Sequence, residues 1–154
     1  MPSRFIETKI DIPAPPHVVW DVLTDFAAMP DWNPFIRKIV GEPVDGERIR
    51  VTIQPPGRGA TSFRPRITLI DARQELRWLG SLLTPGLFDG DHYFRLFGHP
   101  GGTRFEHGEQ FNGLLVSLLM GDAMLADTNR GFEAMNEALS KRCQSLASEL
   151  SVTK

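Results

Sequence analysis

His92, His107 and Glu109 are the residues of this chain best suited to holding or moving a proton. They lie in two stretches, "FDGDHYFRL" and "TRFEHGEQF", where apolar and polar side chains alternate. Successive side chains of a strand point to opposite faces, so residues two apart share a face. In residues 103–111 the odd positions are Thr103, Phe105, His107, Glu109 and Phe111. If the two phenylalanines choose a core, His107 and Glu109 must turn inward with them. In residues 88–96 the even positions are Phe88, Gly90, His92, Phe94 and Leu96, which carries His92 inward too. A third row, Leu76, Trp78, Gly80 and Leu82, belongs to residues 76–82, and Gly80 and Gly90 leave space where larger side chains would fill the centre.

A dry interior does not readily take two imidazoles and a carboxylate, because each polar group buried without a partner costs on the order of 1–3 kcal/mol or more. Three uses remain open. The groups can bond one another and fix the sheet. They can orient the polar end of a molecule held in a cavity. They can also serve as general acid and base, since histidine changes charge near neutral pH. Zinc accepts these ligand types, but no HExxH or CxxC spacing supports a site, so no metal and no cofactor is expected. There is no GxSxG elbow for a nucleophilic serine. "QPPGRGA" is glycine-rich but lies between strands, with no helix start to receive a phosphate, and reads as a turn.

The elements that must position these groups are written in the same alternation. Residues 4–12 set Ile6, Thr8, Ile10 and Ile12 against Glu7, Lys9 and Asp11, a strand. Pro15 and Pro16 then suit a helix start, and Val19, Val22, Leu23 and Phe26 recur at helical spacing until Pro30 closes the helix. Six strand-like segments follow, near 36–41, 47–54, 61–71, 75–82, 87–97 and 103–112. They are separated by turn sequences too short for a helical crossover, so the sheet is expected to be largely an antiparallel meander. The segments 87–97 and 103–112 are joined by "GHPGG" and should form a hairpin. An even inward face can oppose an odd one only if paired residue numbers sum to an odd value, about 199 or 201. His92 then lies across from His107 in the first register and from Glu109 in the second, with the remaining partner on the diagonal.

Leu125, Thr128, Phe132, Met135, Leu139, Leu146 and Leu150 form the apolar stripe of a long helix over about 118–149, spanning roughly 45 Å. The sheet is the partner available to cover that stripe. The order β-α-β6-α therefore reads as an α+β fold of about seven strands, curved around one long helix. Met120 and Met124 near its start suit adaptable core or a pliable cavity wall. Arg48, Arg50, Arg64 and Arg66 share a parity opposite Ile49, Val51, Phe63 and Ile67 and read as a solvated outer face.

At 154 residues the chain is expected to form one domain, 1–154, large enough to bury a core without staples. A net charge of −2 gives no reason to expect nucleic acid. Cys143 stands alone and "MPSRFIETKI" has no apolar signal segment, which fits a reducing cytoplasm. The longest apolar run, residues 114–120, is too short to span a bilayer.

Taken together, "IPAPPHVVWDVLTDFAAMPDWNPFI" (12–36), "ELRWLG" (75–80), "DHYFRL" (91–96), "GGTRFEHGEQFNGLL" (101–115) and "GFEAMNEALSKR" (131–142) resemble the helix-grip fold of the START and pollen-allergen-like superfamily, SRPBCC, and most closely its polyketide cyclase/dehydrase-type branch. The resemblance covers nearly the whole chain. It implies an apolar cavity between sheet and long helix, entered near the first helix and the strand-connecting loops. Trp32 and Phe35 would pack near one end of it. The expected lining is Phe63, Ile67, Trp78, Phe94, Phe105, Phe111, Met124, Thr128, Phe132 and Met135, with His92, His107 and Glu109 orienting a polar end or acting in catalysis. The expected partner is a small hydrophobic molecule such as a lipid, polyketide or aromatic metabolite. A cyclase or dehydratase and a protein-binding module are the alternatives.

Overall fold

Alternation in the first residues becomes strand β1 (Ser3–Ile12), with Ile6, Thr8 and Ile12 buried and Phe5, Glu7 and Lys9 exposed on the other face. The computed structural model describes residues 2–152 and side chains through residue 149, so the side chain of Leu150 lies outside the described residues. Helix α1 (Pro16–Thr24) starts with proline at its first turn, where the missing N–H would have no partner anyway, and buries Val18, Val19, Val22 and Leu23. Phe26 lies beyond it, in a single 3-10 turn, Phe26–Ala28. Pro30 does not end the helical region. It sits in the first turn of a short helix, α2 (Met29–Trp32), for the same physical reason as Pro16. The buried Asn33 then turns the chain, its Oδ1 accepting the backbone N–H groups of Phe35 (2.9 Å) and Ile36 (2.8 Å).

Eight strands form two antiparallel sheets, where about seven strands in one meander were expected. Strands β2 (Ile36–Val40), β3 (Arg50–Ile53) and β4 (Thr61–Phe63) make a three-stranded sheet. Strands β5 (Arg66–Asp71), β6 (Glu75–Leu82), β7 (Phe88–His99) and β8 (Gly102–Asn112) continue as a meander, and β1 closes it beside β8, giving the order β1-β8-β7-β6-β5. The expected strand 61–71 breaks at Pro65, which cannot donate to a ladder. The expected strand 47–54 changes partners midway. Glu47 and Ile49 bond Ile67 and Pro65, while 50–53 pair with β2 and β4. Arg48, Arg50, Arg64 and Arg66 are all exposed, as their parity implies, and two of them rest on backbone carbonyls.

The β7–β8 hairpin pairs His92 with Glu109 and Phe94 with His107, so paired numbers sum to 201. The strands run up to His99 and Gly102, leaving only Pro100 and Gly101 to turn the chain.

The long helix is interrupted before it settles. A short turn, α3 (Val116–Leu119), is followed by α4 (Asp122–Val152). The buried side of α4 carries Thr128, Gly131, Phe132, Met135, Asn136, Leu139, Ser140 and Cys143, a stepping of three and one that gives the helix one wet and one dry face. That face lies against β1, β8 and α1. Burial pushes the Cys143 thiol up to about 12. Among the described residues no helix is long and apolar enough to cross a membrane.

Where α4 meets α2, the ring of Phe35 lies on the backbone of Gly131 and edge-on to Phe132, with centroids 5.3 Å apart. A Cβ at position 131 would stand 2.4 Å from that ring. In an exposed helix Gly→Ala stabilises by roughly 1 kcal/mol. Here overpacking opposes the gain, so G131A should lower unfolding stability by about 1–3 kcal/mol, as read by urea titration. A more stable G131A would show that Phe35 is free to move.

Candidate functional site

Register brings the proton-bearing groups together. His92 faces Glu109 across the hairpin, with Nδ1 3.1 Å from Oε1. His107 is on the diagonal, and the two Nε2 atoms lie 2.7 Å apart. Behind them the chain of contacts continues into the core. His107 Nδ1 is 3.0 Å from Oδ1 of Asn136 on α4, and Asn136 Nδ2 donates to Thr8 Oγ1 on β1 (2.7 Å). Thr8 Oγ1 in turn donates to the His107 carbonyl (3.0 Å). Five side chains from four elements are thus joined in one line.

Aromatic rings hold this line in place. His107 stacks on Phe132 with centroids 3.9 Å apart and planes 4° from parallel, and His92 stacks on Trp78 at 5.3 Å. His107 is fully buried. That burial holds it well below the ordinary histidine range, and neighbouring His92 pushes the same way, against the Asn136 hydrogen bond. His107 is therefore neutral.

On the other side of His92 lies a pocket of about 490 Å³. Its apolar wall includes Phe35, Phe63, Phe88, Phe111, Met120 and Met124, and its polar part includes His92, Glu109 and Thr128. The loop between β3 and β4 supplies Pro55, Arg58, Gly59 and Ala60, so "QPPGRGA" is both a turn and a wall. Arg58 Nε reaches Asp127 Oδ2 on α4 at 2.7 Å, and Arg130 also binds Asp127. Gly80 and Gly90 border the pocket, but their space is partly taken. A Cβ on Gly90 would meet Glu109 Oε2 at 2.3 Å, and one on Gly80 would meet the Phe63 ring at 3.3 Å. Gly90 is what lets the Glu109 carboxylate lie where it does.

The structure divides the expected lining in two. Phe35, Phe63, His92, Glu109, Phe111, Met124 and Thr128 border the pocket. Ile67, Trp78, Phe94, Phe105, His107, Phe132 and Met135 are buried but do not border it; they fill the core behind. Parity fixes which face a side chain takes but not how deep it lies, and toward this end α4 presses onto the sheet and excludes a void. Trp32 lies elsewhere. It lines a separate pocket of about 420 Å³ with His17, Asp21, Asp25 and Arg142, because the turn at Asn33 sends Trp32 and Phe35 to different sides. Asn136 was legible but unread: it is a polar residue on the dry stripe, one position from Met135 and four from Phe132. Among the described residues no group of three or more His, Cys, Asp or Glu is placed to hold a metal ion.

A curved sheet gripping a long helix, with a pocket between them, defines a helix-grip protein of the SRPBCC type. The chain belongs to the family described as polyketide cyclase / dehydrase and lipid transport, whose model matches residues 5–144. Among solved structures it is similar to the Zhui aromatase/cyclase from Streptomyces sp. R1128, at 21% identity and a TM-score of 0.72, over 92% of this chain and 94% of that one. Ara h 8.0201 matches at 18% identity and 0.71, over 94% and 99%. Protein CV1439 from Chromobacterium violaceum matches at 16% and 0.69, over 90% and 96%. These likenesses establish the fold. No curated protein matches the sequence.

Neutral burial of His107 has a thermodynamic signature. Unfolded, it takes up a proton near its ordinary value of 6.5, whereas folded it does not until well below. Below pH 6.5 the unfolded state therefore binds more protons, and stability falls as pH falls, by up to about 1.4 kcal/mol per pH unit for this one group. H107Q should flatten the slope of stability against pH below 6.5 by about one proton, measured by denaturant titration across the acid range. An unchanged slope would mean that His107 is protonated in the folded protein.

Proposed function

We propose that the protein binds a small, largely apolar molecule in the pocket of about 490 Å³, acting as a single ligand-binding domain over residues 1–154. The observation that carries this reading is an apolar wall of phenylalanine and methionine side chains interrupted by one carboxylate, Glu109, held in place from behind. Such a lining removes ligand surface from water at about 25 cal/mol per Å² and sets a fixed carboxylate among it for polar orientation. The family description, which includes lipid transport, supports the same reading. Binding is expected to be one-to-one. Native mass spectrometry should reveal a co-purified small molecule, and the apolar fluorophore N-phenyl-1-naphthylamine should bind saturably. Ala60→Trp, which fills the pocket from its wall loop, should weaken fluorophore binding roughly tenfold or more without lowering Tm. No retained molecule and no saturable fluorophore binding would favour a protein-binding surface instead.

One feature favours a second reading, acid–base catalysis of the cyclase or dehydratase kind: the carboxylate bordering the pocket is directly coupled to an imidazole. Once a ligand is found that is also turned over, Glu109→Gln should lower kcat while leaving affinity within a few-fold. Loss of affinity and turnover in equal measure would return the carboxylate to an orienting role.

A further inference from the structure

Counting protons along the buried line takes the pocket reading, on which this inference rests, to the chemical class of the ligand. Thr8 fixes the direction. Its single hydroxyl proton goes to the His107 carbonyl, so its oxygen can only accept from Asn136. The Asn136 atom facing Thr8 is therefore the NH2, and the atom facing His107 Nδ1 is the carbonyl oxygen. An acceptor there requires Nδ1–H on His107. Because His107 is neutral, its Nε2 carries a lone pair, and the 2.7 Å contact makes His92 Nε2–H the donor. Only His92 Nδ1 is left to face Glu109 Oε1, at 3.1 Å.

That last contact holds one proton. With none, two lone pairs would face each other; with two, both sides would be donors. The proton sits either on Nδ1, giving an imidazolium and a carboxylate, or on Oε1, giving a neutral imidazole and a carboxylic acid. Both arrangements have zero net charge, and both leave Oε2 without a proton. Oε2 has no protein hydrogen-bond partner among the described residues, and Glu109 borders the pocket over Gly90. Arg58, the other charged residue of the wall, is held away from Glu109 by Asp127, which it shares with Arg130.

We infer that the pocket offers its ligand a hydrogen-bond acceptor, Glu109 Oε2, on a His92–Glu109 pair of zero net charge, and so selects a neutral apolar molecule whose polar end is a hydroxyl. An ether, ketone or carboxylate would set an acceptor against an acceptor, and a carboxylate would also have to shed its hydration against an apolar wall. The buried end of the line closes on a backbone carbonyl, so Glu109 is the point at which the line meets the ligand.

Two measurements on the full chain test this. Nitrogen-15 NMR of the histidine rings should show His107 as the neutral Nδ1–H tautomer and His92 protonated at Nε2. An Nε2–H tautomer at His107 would reverse the line and overturn the inference. In calorimetry at neutral pH, 2-naphthol should bind roughly tenfold or more tighter than 2-methoxynaphthalene or 2-naphthoate. Glu109→Gln should keep the preference for the hydroxyl, because the amide N–H must donate to His92 Nδ1 and the amide oxygen then faces the pocket. In the reversed line the amide NH2 would face the pocket and the ether would be preferred. If N-phenyl-1-naphthylamine binds but 2-naphthol and 2-methoxynaphthalene bind equally well, this inference fails and the pocket reading stands. If neither that fluorophore nor any naphthalene binds, both fail.

Discussion

The line Thr8–Asn136–His107–His92–Glu109 is the constraint around which the interior is arranged. Polar groups this deep are costly without partners, and the partners in this line come from β1, α4, β8 and β7. Moving any one of those elements by an ångström or two would leave a donor or acceptor unmatched in aromatic surroundings. Apolar packing between α4 and the sheet accepts many side-chain combinations, but this line accepts few orientations. The same bonds that fix the helix against the sheet also fix the carboxylate bordering the pocket, so structural and ligand-facing roles belong to one set of atoms.

The pocket is the part of the interior that α4 does not reach. Where Phe132, Met135 and Leu139 press on the sheet, the space is filled. Farther toward the start of α4, the break at α3, the loop between β3 and β4 and two glycines on neighbouring strands keep the walls apart. Splitting the sheet at Pro65 matters for this. It places β4 in a separate sheet with β2 and β3, and the Phe63 ring meets Gly80 of β6 as a pocket wall.

Much of this was legible because period-two alternation is a strict geometric rule. It turned His92, His107 and Glu109 to one face, and odd-sum pairing narrowed the hairpin to two registers, of which the structure adopts the one with His92 opposite Glu109. The family resemblance added the helix grip. What alternation cannot convey is depth along the strand and the choice of partner. Phe94 and Phe88 share a parity, yet one is core and the other borders the pocket, according to where α4 lies. Pro30 and Pro65 show the other gap. Proline forbids a donor at its own position, and only the surrounding chain decides whether that position starts a helix or splits a strand.

Pairing of β1 with β8 has a consequence for how the chain acquires its shape during synthesis. Ser3 pairs with Asn112 and Ile12 with Thr103, so roughly a hundred residues separate the partners. At about 5–20 residues per second, β1 leaves the ribosome roughly 5–20 s before its neighbour exists. Throughout that interval it is an unpaired strand with Ile6, Ile10 and Ile12 along one side, open to pairing with other chains. Lys9, Glu7 and Asp11 along the opposite side make such pairing less favourable. The charges on the outer face thus act as a guard for the nascent chain, a task that ends when β8 arrives and α4 closes over the apolar side.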